Sequence, residues 1–358
     1  MRYNSEFRIG NHTIGIGEST YFIADIAANH DGDLQRAKDL IWASKEAGAD
    51  CAKFQHFKAE TIVSSVGFQK MKGNMSHQAS WEKPVDEIYD QFHTRRSWTA
   101  ELVETCKEAD IAFMTTPYDF EAIDEFANIV PAFKVGSGDI TFHAAIERMA
   151  KVGKPVLLAT GASDMAEVID ATELILKHNS NICLMQCNTN YTGSIDNFAA
   201  VNLNVLRSFA LRWPNMVLGL SDHTPGHSAV IGAVALGARV IEKHFTDDKN
   251  RVGPDHSFAL NPNTWRAMVD ATRELELAMG DGVKRVESNE QDTLIIQRRC
   301  LRAVGDIASG TKLTQDHLQA LRPCPKDAIT PSETGNVLGK TLQTAKSDQD
   351  EILWSDLA

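Results

Sequence analysis

Short apolar runs recur along the first 280 residues, and most of them end in polar side chains. Between the runs lie segments with apolar positions at helical spacing, such as the helix expected from the N-cap Asp33 to Gly48. This alternation predicts eight β-strands that are each followed by a crossover. The predicted strands are residues 21–33, 51–57, 111–119, 132–140, 155–163, 182–191, 216–224 and 238–246.

Alternating strands and helices form either a closed (β/α)8 barrel or an open, doubly wound sheet. Eight units over about 260 residues match the size of a TIM barrel, and polar residues after nearly every strand favour closure. We therefore predict an α/β TIM barrel over residues 1–280, with an N-terminal hairpin at 7–16. The segment 58–95 has no clear pattern, and a loop of that length within a domain is usually functional or a lid.

The composition changes near residue 280. Residues 281–297 are polar and indicate a linker, whereas 298–358 contain short alternating runs divided by Gly and Asp. We predict a small β-rich second domain there. It is too small to form a large pocket by itself.

The net charge of −12 argues against a nucleic acid or an anionic membrane as partner. The six cysteines form no CxxC pair, which is typical of reduced thiols in a cytoplasmic protein. The chain shows neither an apolar signal region nor a stretch of membrane-spanning length. We therefore expect a soluble, cytoplasmic protein.

Two histidines, His223 and His244, lie where the seventh and eighth predicted strands end. Because neighbouring parallel strands end at the same face of a barrel, we expect the two imidazoles to lie together. A strand histidine by itself is more often structural than a ligand. Two on adjacent strands, with Asp222, Asp247 and Asp255 nearby, favour a divalent metal site with open positions, as catalysis requires.

Two lysines, Lys53 and Lys134, lie inside apolar strands. Burial of an unpaired ammonium is costly, so each needs an anionic partner unless it extends to the barrel rim. Hydroxyl and amide side chains occupy the ends of neighbouring strands, which favours a phosphate-binding site. These side chains are Thr116, Ser137, Asn188 and Ser221.

Two carboxylates, Asp25 and Asp139, fall where the first and fourth strands reach the same face. Either could act as a general base or position a water molecule, and either could equally cap a helix. The turns GSGD and ATGAS form no nucleotide-binding fingerprint. We interpret His227, His256 and Tyr118 as packing or capping residues.

Several segments, taken in order, resemble the sialic acid synthase family: FIADIAANHDGD, AGADCAKFQHFKAE, FMTTPYD, KVGSGD, CNTNY, GLSDHTPG and IEKHFTDDKNRVGPDH. Members of that family condense phosphoenolpyruvate with a 2-acetamido hexose to give nine-carbon ulosonic acids. The tail segments RRCLRAVGDIASGTKLTQDHLQALRP and GNVLGKTL are similar to the antifreeze-like (SAF, β-clip) domain of such synthases. The resemblance covers residues 7–358.

The resemblance implies a (β/α)8 barrel, a domain-swapped homodimer, and Mn2+ or Mg2+ held by His223 and His244. It implies that phosphoenolpyruvate is held by Lys53, Lys134, Thr116, Ser137, Asn188 and Ser221. It further implies sugar contacts from Gln55, Asn74, Tyr191 and Asp255, and from Arg322 of the partner subunit. The metal would polarise the sugar aldehyde during attack by the enolpyruvate C3 atom, and a carboxylate would direct the water that captures C2.

The chain departs from the family's usual pattern at five places. Asp25 and Asp139 replace the usual glutamates, Ala159 replaces a serine, Thr192 replaces a proline, and RPCPKDAITP replaces a glycine-rich stretch beside Arg322. A carboxylate that is one methylene shorter has a different reach, and Ala159 lacks a hydroxyl. The acceptor therefore stays open between N-acetylmannosamine, which gives N-acetylneuraminate, and the precursor of legionaminate, pseudaminate or another ulosonate.

Two other functions are compatible with parts of the pattern. A barrel metallohydrolase would use the two histidines, but it needs further ligands on strands one and five, and strand five ends in ATGAS without one. A non-catalytic sugar-binding protein would not need two inward lysines. Phosphoenolpyruvate condensation accounts for both features.

Overall fold

The computed structural model describes residues 2–71, 78, 81 and 83–358. The chain divides into two compact units, Met1–Gly280 and Asp281–Ala358. The division falls at the residue where the polar composition begins in the sequence. Each unit is described separately below.

In the described part of the first unit, eight parallel strands form a closed barrel in which the last strand pairs with the first. These strands are β3 (Tyr21–Asp25), β4 (Cys51–His56), β5 (Ala112–Pro117), β6 (Phe133–Val135), β7 (Val156–Ala159), β8 (Ile182–Cys187), β9 (Val217–Asp222) and β10 (Ala238–His244). An antiparallel hairpin of β1 (Glu6–Ile9) and β2 (His12–Gly15) precedes them. The predicted (β/α)8 barrel is confirmed.

Helices follow the strands and cover the outside of the barrel. They are α1 (Leu34–Glu46), α2 (Ala59–Ile62), α3 (Ser65–Lys70), α4 (Val85–Phe92), α5 (Thr99–Glu108), α6 (Phe120–Phe126), α7 (His143–Lys151), α8 (Met165–Leu176), α9 (Val205–Arg212), α10 (Ser228–Ala235) and α11 (Pro262–Met279). As predicted, the Asp33 side chain caps α1 by accepting a hydrogen bond from the Arg36 backbone N–H at 2.9 Å.

Predictions about the barrel were wrong at several places. The first, fifth and sixth strands end at Asp25, Ala159 and Cys187, before their predicted bounds. The segment 58–95 is not irregular, because it contains α2, α3 and α4 in its described part. Strand four does not run to residue 140: β6 ends at Val135, and Ser137–Asp139 form a short 3₁₀ helix. This turn lifts Asp139 out of the strand and onto the face where the strands end.

The apolar core has an outer and an inner layer, because successive side chains of a strand point to opposite faces. The outer layer packs the strands against the helices and includes Phe22 and Ile241. The inner layer includes Ile23 and Val240, and the hairpin residues Ile9 and Ile14 pack against it. The hairpin thus closes the N-terminal end of the barrel with apolar side chains, which leaves polar inward positions for the other end.

The second unit contains α12 (Gln291–Gln297), the antiparallel strands β11 (Cys300–Ala303) and β12 (Leu318–Leu321), and α13 (Thr334–Val337). Helix α12 lies within the segment that we predicted to be a linker. A small apolar core that includes Leu301, Leu313 and Ile352 holds the unit together.

All six cysteines of the chain are buried and free, in agreement with the predicted reduced thiols. Across the described ranges, no helix has both the length and the apolar character to cross a bilayer.

Candidate active site

The site lies at the C-terminal end of the barrel, where the inward positions of the strands become polar. In β4, the inward side chains run from Cys51 through Lys53 to Gln55, and in β10 from Val240 through Glu242 to His244. The period of two therefore places lysine, carboxylate and imidazole groups above an apolar floor. This is the end at which α/β barrels carry out chemistry.

The first group of contacts is centred on Lys53, whose side chain is about 1 % exposed. Its ammonium donates to the Asp25 carboxylate at 2.7 Å and to the Thr116 hydroxyl at 3.2 Å. The Gln55 amide donates to the same Asp25 oxygen at 2.9 Å. Burial opposes the charged form of Lys53, but nearby Asp25 and Glu242 outweigh it and raise its pKa.

The second group is centred on Lys134, which is also buried. Its ammonium lies 3.5 Å from a Glu242 carboxylate oxygen and donates to the Val135 carbonyl at 3.0 Å. The Ser221 hydroxyl donates to the same Glu242 oxygen at 3.2 Å. Each inward lysine thus has a carboxylate partner, as its burial requires.

The histidines form the third group. The ring centroids of His223 and His244 are 5.4 Å apart, and Tyr191 packs on His223 at 4.4 Å. The Asn188 carbonyl accepts the Nδ1 proton of His223 at 2.8 Å, which leaves Nε2 with the lone pair. One face of the His244 ring is covered by Phe258, with centroids 4.8 Å apart.

The pKa values of the two imidazoles are shifted in opposite directions. Burial lowers the pKa of His244 well below its usual value, and the neighbours His223 and Lys53 lower it further. Burial also opposes the charged form of His223, but contact with Cys187 outweighs it and raises the pKa of His223. His244 is therefore neutral at physiological pH, which is the form that binds metals.

The arrangement can accept a divalent cation. His244 Nδ1 is buried without a hydrogen-bond partner and lies 3.8 Å from the Asp255 carboxylate, and one oxygen of Asp25 is likewise buried and unpaired. Among the described residues, no group of three or more His, Cys, Asp or Glu side chains is placed to hold a metal. His223 and His244 could supply two ligands, with substrate or water filling the other positions.

A cavity of about 370 Å³ opens above these groups. Several predicted site residues line it: Gln55, Ser137, Asp139, Tyr191, His244 and Asp255. Burial raises the pKa of Asp139 to about 6, and burial is likewise the main cause that raises the pKa of Asp255 to about 6. Two carboxyl groups of the cavity lining can thus exchange a proton near neutral pH.

Part of the cavity wall comes from the segment 58–95, for which we predicted a functional or lid role. The apolar residues Ile62, Trp81, Ile88 and Phe92 of this segment line the cavity together with Phe57. Tyr118 lines it as well, so its interpretation as a packing or capping residue was incomplete.

The structure brings most predicted site residues together, but not all. The Asn188 side chain bonds to the backbone of Ala200 and Asn190, so only its carbonyl reaches the site. Arg322 is exposed in the second unit. Asn74 lies outside the described residues.

The two aspartates expected beside the metal have other partners. Asp222 faces outward and binds Lys243 at 2.5 Å, and Asp247 forms a bidentate pair with Arg36. The carboxylates of Asp222 and Asp247, which the sequence places near the histidines, are thus bound to Lys243 and Arg36 and do not face the two imidazoles. Asp255 does lie beside His244, held by the Ala28 backbone N–H at 3.1 Å.

Sequence reasoning missed Glu242, Cys187 and Phe258 as site residues. Glu242 had a usable signal, because it lies two positions before His244 and must share its face of the strand. Cys187 ends β8 and contacts His223, a pairing that lowers the pKa of the thiol against the effect of burial. Phe258 lies in an irregular segment, where no period predicts orientation.

Comparison with known proteins gives the family. Residues 40–284 match the model of the NeuB family. The chain is 34% identical over 340 residues to the N,N'-diacetyllegionaminic acid synthase of Campylobacter jejuni subsp. jejuni serotype O:2, with 94% of this chain and 99% of that protein covered. It is 31% identical over 341 residues to the N-acetylneuraminate-9-phosphate synthase of Homo sapiens, with 95% and 93% covered.

A solved structure agrees with these relatives. The N-acetylneuraminic acid (sialic acid) synthetase from Leptospira borgpetersenii serovar Hardjo-bovis, in complex with citrate, superposes with a TM-score of 0.70 at 25% identity. The match covers 82% of this chain and 96% of that chain. The chain belongs to the NeuB family of sialic acid synthases, as its motifs indicated.

The environment of Asp139 predicts a pH-dependent stability. A raised carboxyl pKa stabilises the fold only while the group is protonated, and this contribution is lost as pH rises through about 6. At pH 8, the free energy of unfolding of Asp139→Asn, measured with urea, should therefore exceed that of the wild type by about 2 kcal/mol. The difference should vanish near pH 4. Asp170→Asn, on the exposed face of α8, is the control for loss of one charge. An equal effect at both pH values would contradict the raised pKa of Asp139.

Proposed function

We propose that this protein is a metal-dependent ulosonic acid synthase that condenses phosphoenolpyruvate with an acetamido hexose. The observation that carries the proposal is the convergence of two buried lysines and two histidines at one end of the barrel. The family supplies the reaction class, and the side chains present match its chemical needs. These needs are anion binding, carbonyl polarisation and a base for water.

The two lysines would bind the phosphate and carboxylate groups of phosphoenolpyruvate, with help from the hydroxyls of Thr116, Ser137 and Ser221. Asp25 and Glu242 balance the lysine charges. Each carboxylate also has a buried oxygen without a hydrogen-bond partner. A bound substrate must therefore share the ammonium groups with the carboxylates or displace the carboxylates. This competition would lower the affinity for the anion.

The reaction forms one carbon–carbon bond and breaks one carbon–oxygen bond. The C3 atom of phosphoenolpyruvate attacks the aldehyde carbon of the open-chain sugar, water adds to C2, and phosphate leaves with its bridging oxygen. His223 and His244 would hold Mn2+ or Mg2+, which supplies Lewis-acid polarisation of a carbonyl when bound. Asp139, which ionises near pH 6 and lies on the cavity wall, is placed to take the proton of the attacking water.

The sugar would occupy the cavity. Gln55, Tyr191 and Asp255 line it and can bind hydroxyl groups. Among the described lining residues none is Lys or Arg, and one wall is aromatic and aliphatic. This lining disfavours a phosphorylated sugar and favours one with an additional acetamido or deoxy substituent, although the human relative is named for a phosphorylated product.

The second unit completes the proposal. We infer that it is an SAF-type domain and that the active enzyme is a cytoplasmic homodimer in which Arg322 of the partner subunit reads the acyl-amino group of the sugar. The support is the resemblance of residues 298–358 to that domain and the exposure of Arg322. An exposed guanidinium is free to form bidentate contacts with a carbonyl or hydroxyl group.

A barrel metallohydrolase is a weaker assignment. It needs a ligand at the end of β7, but that strand ends at Ala159. In the described part of the barrel, no group of three His, Cys, Asp or Glu side chains is placed to hold a metal, and a metallohydrolase would need such a group.

The test of the reaction is phosphate release from phosphoenolpyruvate. The substrate is phosphoenolpyruvate with 18O at its bridging oxygen, supplied with Mn2+ and a suitable acetamido hexose. Because the C–O bond breaks, we expect the released phosphate to contain the 18O. His244→Ala should reduce kcat about 100- to 1000-fold, the size of effect expected when a group that stabilises transition-state charge is lost. His143→Ala, an exposed residue at the start of α7, is the matched control. Near-normal turnover in His244→Ala would remove the metal assignment.

The cavity lining predicts the acceptor. Compared by kcat/KM, a diacetamido hexose should exceed N-acetylmannosamine, and N-acetylmannosamine 6-phosphate should be the poorest substrate. Phe92→Ala should reduce the preference for the diacetamido sugar about tenfold, in line with the loss of an apolar contact. Phe120→Ala, on the exposed side of α6, is the control. Efficient use of the 6-phosphate would contradict this interpretation of the cavity.

The proposed role of Arg322 predicts a specific change in the kinetic constants. Arg322→Ala should raise the KM for the sugar about tenfold or more and change kcat and the KM for phosphoenolpyruvate little, because the residue would contact only the acceptor. Mixing this variant with His244→Ala should restore activity if the guanidinium acts across subunits. No restoration, together with an unchanged KM, would exclude the role.

A further inference from the structure

A buried ion pair lies on the outer side of the barrel wall, behind the two histidines. The Lys243 ammonium donates to the Asp222 carboxylate at 2.5 Å, and both side chains are at most 2 % exposed. The surrounding layer is apolar and includes Leu220, Ile241 and Phe245. The proposed reaction uses the buried pairs of Lys53 and Lys134, but it does not use this one.

Each residue of the pair is the sequence neighbour of one of the two histidines. Asp222 precedes His223, and Lys243 precedes His244. Asp222 and Lys243 are direct partners in the register of β9 and β10. Because side chains alternate, the outward pair and the inward imidazoles occupy the two faces of the same wall.

The contacts extend past the end of the strand. Lys243 also donates to the Thr224 carbonyl at 2.7 Å. The Asp222 carboxylate accepts the backbone N–H of Thr224 at 3.0 Å and its hydroxyl at 2.9 Å. The residues on either side of His223 are thereby fixed to the residue before His244, although His223 itself lies beyond the end of β9.

Stability alone gives no reason for charges at these positions. A buried ion pair is often replaced by apolar residues of similar volume without loss of stability. Apolar side chains could not, however, bind the carbonyl and N–H of Thr224. The specific effect of the charged pair is therefore geometric.

We propose that Lys243 and Asp222 are positioning residues that set the separation and orientation of His223 and His244, and thus the affinity for the divalent metal. The inference rests on the proposed function, because it assumes that the histidines bind the metal. Partners of this kind behind metal ligands typically contribute 10- to 100-fold to metal affinity.

The test compares Mn2+ binding with folding. The apolar double variant Asp222→Leu/Lys243→Met avoids leaving a lone buried charge. By calorimetric titration of the full-length, metal-free protein, we expect its Kd for Mn2+ to rise 10- to 100-fold, while its metal-free Tm stays within a few degrees of the wild type. The control is Arg273→Met/Glu276→Gln, which removes an ion pair near the start of β3 (2.8 Å) and should leave the Kd unchanged.

A milder variant covers the case in which the double variant does not fold. Thr224→Val keeps the shape of the side chain and removes its hydrogen bond to Asp222, so its Kd for Mn2+ should rise two- to fivefold. A Kd within twofold of the wild type in the folded variants would overturn the inference while leaving the proposed function intact. Absence of Mn2+ binding by the wild type itself would overturn both.

Discussion

The structure depends on one constraint: the buried lysines inside the barrel must be paired with carboxylates. A closed ring of parallel strands gives inward side chains no route to bulk water except at its ends. Lys53 and Lys134 lie on inward positions and are buried, so each must contact an anion inside the barrel. Asp25 and Glu242 supply those contacts. Removal of either carboxylate would strand a buried ammonium, at a cost of about 3–5 kcal/mol.

The same pairing shapes the chemistry. An anion that enters this site would compete with the carboxylates already bound to the lysines. The Asp25 carboxylate lies 3.7 Å from His244 as well as 2.7 Å from Lys53, so it connects the anion-binding and histidine groups. The Asp25 carboxylate also accepts a hydrogen bond from the Gln55 side-chain amide. A glutamate here, which the resemblance implies for the family, would therefore change the contacts with Lys53, Gln55 and His244 at once.

The sequence was sufficient for features that follow from periodicity. The strands, the inward lysines and the neighbouring histidines could be predicted because alternation in a strand depends on the chain itself. Asp139 was placed at the correct face, although the 3₁₀ helix that carries it was not foreseen. The side chain of Asn188, the partners of Asp222 and Asp247, and the helices of the segment 58–95 could not be predicted. Their positions are decided by contacts with distant parts of the chain.

The period of two has a second consequence that concerns the outward residues. In β10 the residues Glu242 and His244 point into the barrel, and Lys243 between them faces the helices. A strand that presents chemical groups on one face must therefore place its next residue in the outer layer, where a charge is tolerated only with a partner. Where that partner is Asp222, beside the other histidine, the outer contact fixes the distance between two inward groups. Short contiguous motifs such as SDHT and EKH can thus encode both a reactive side chain and its support.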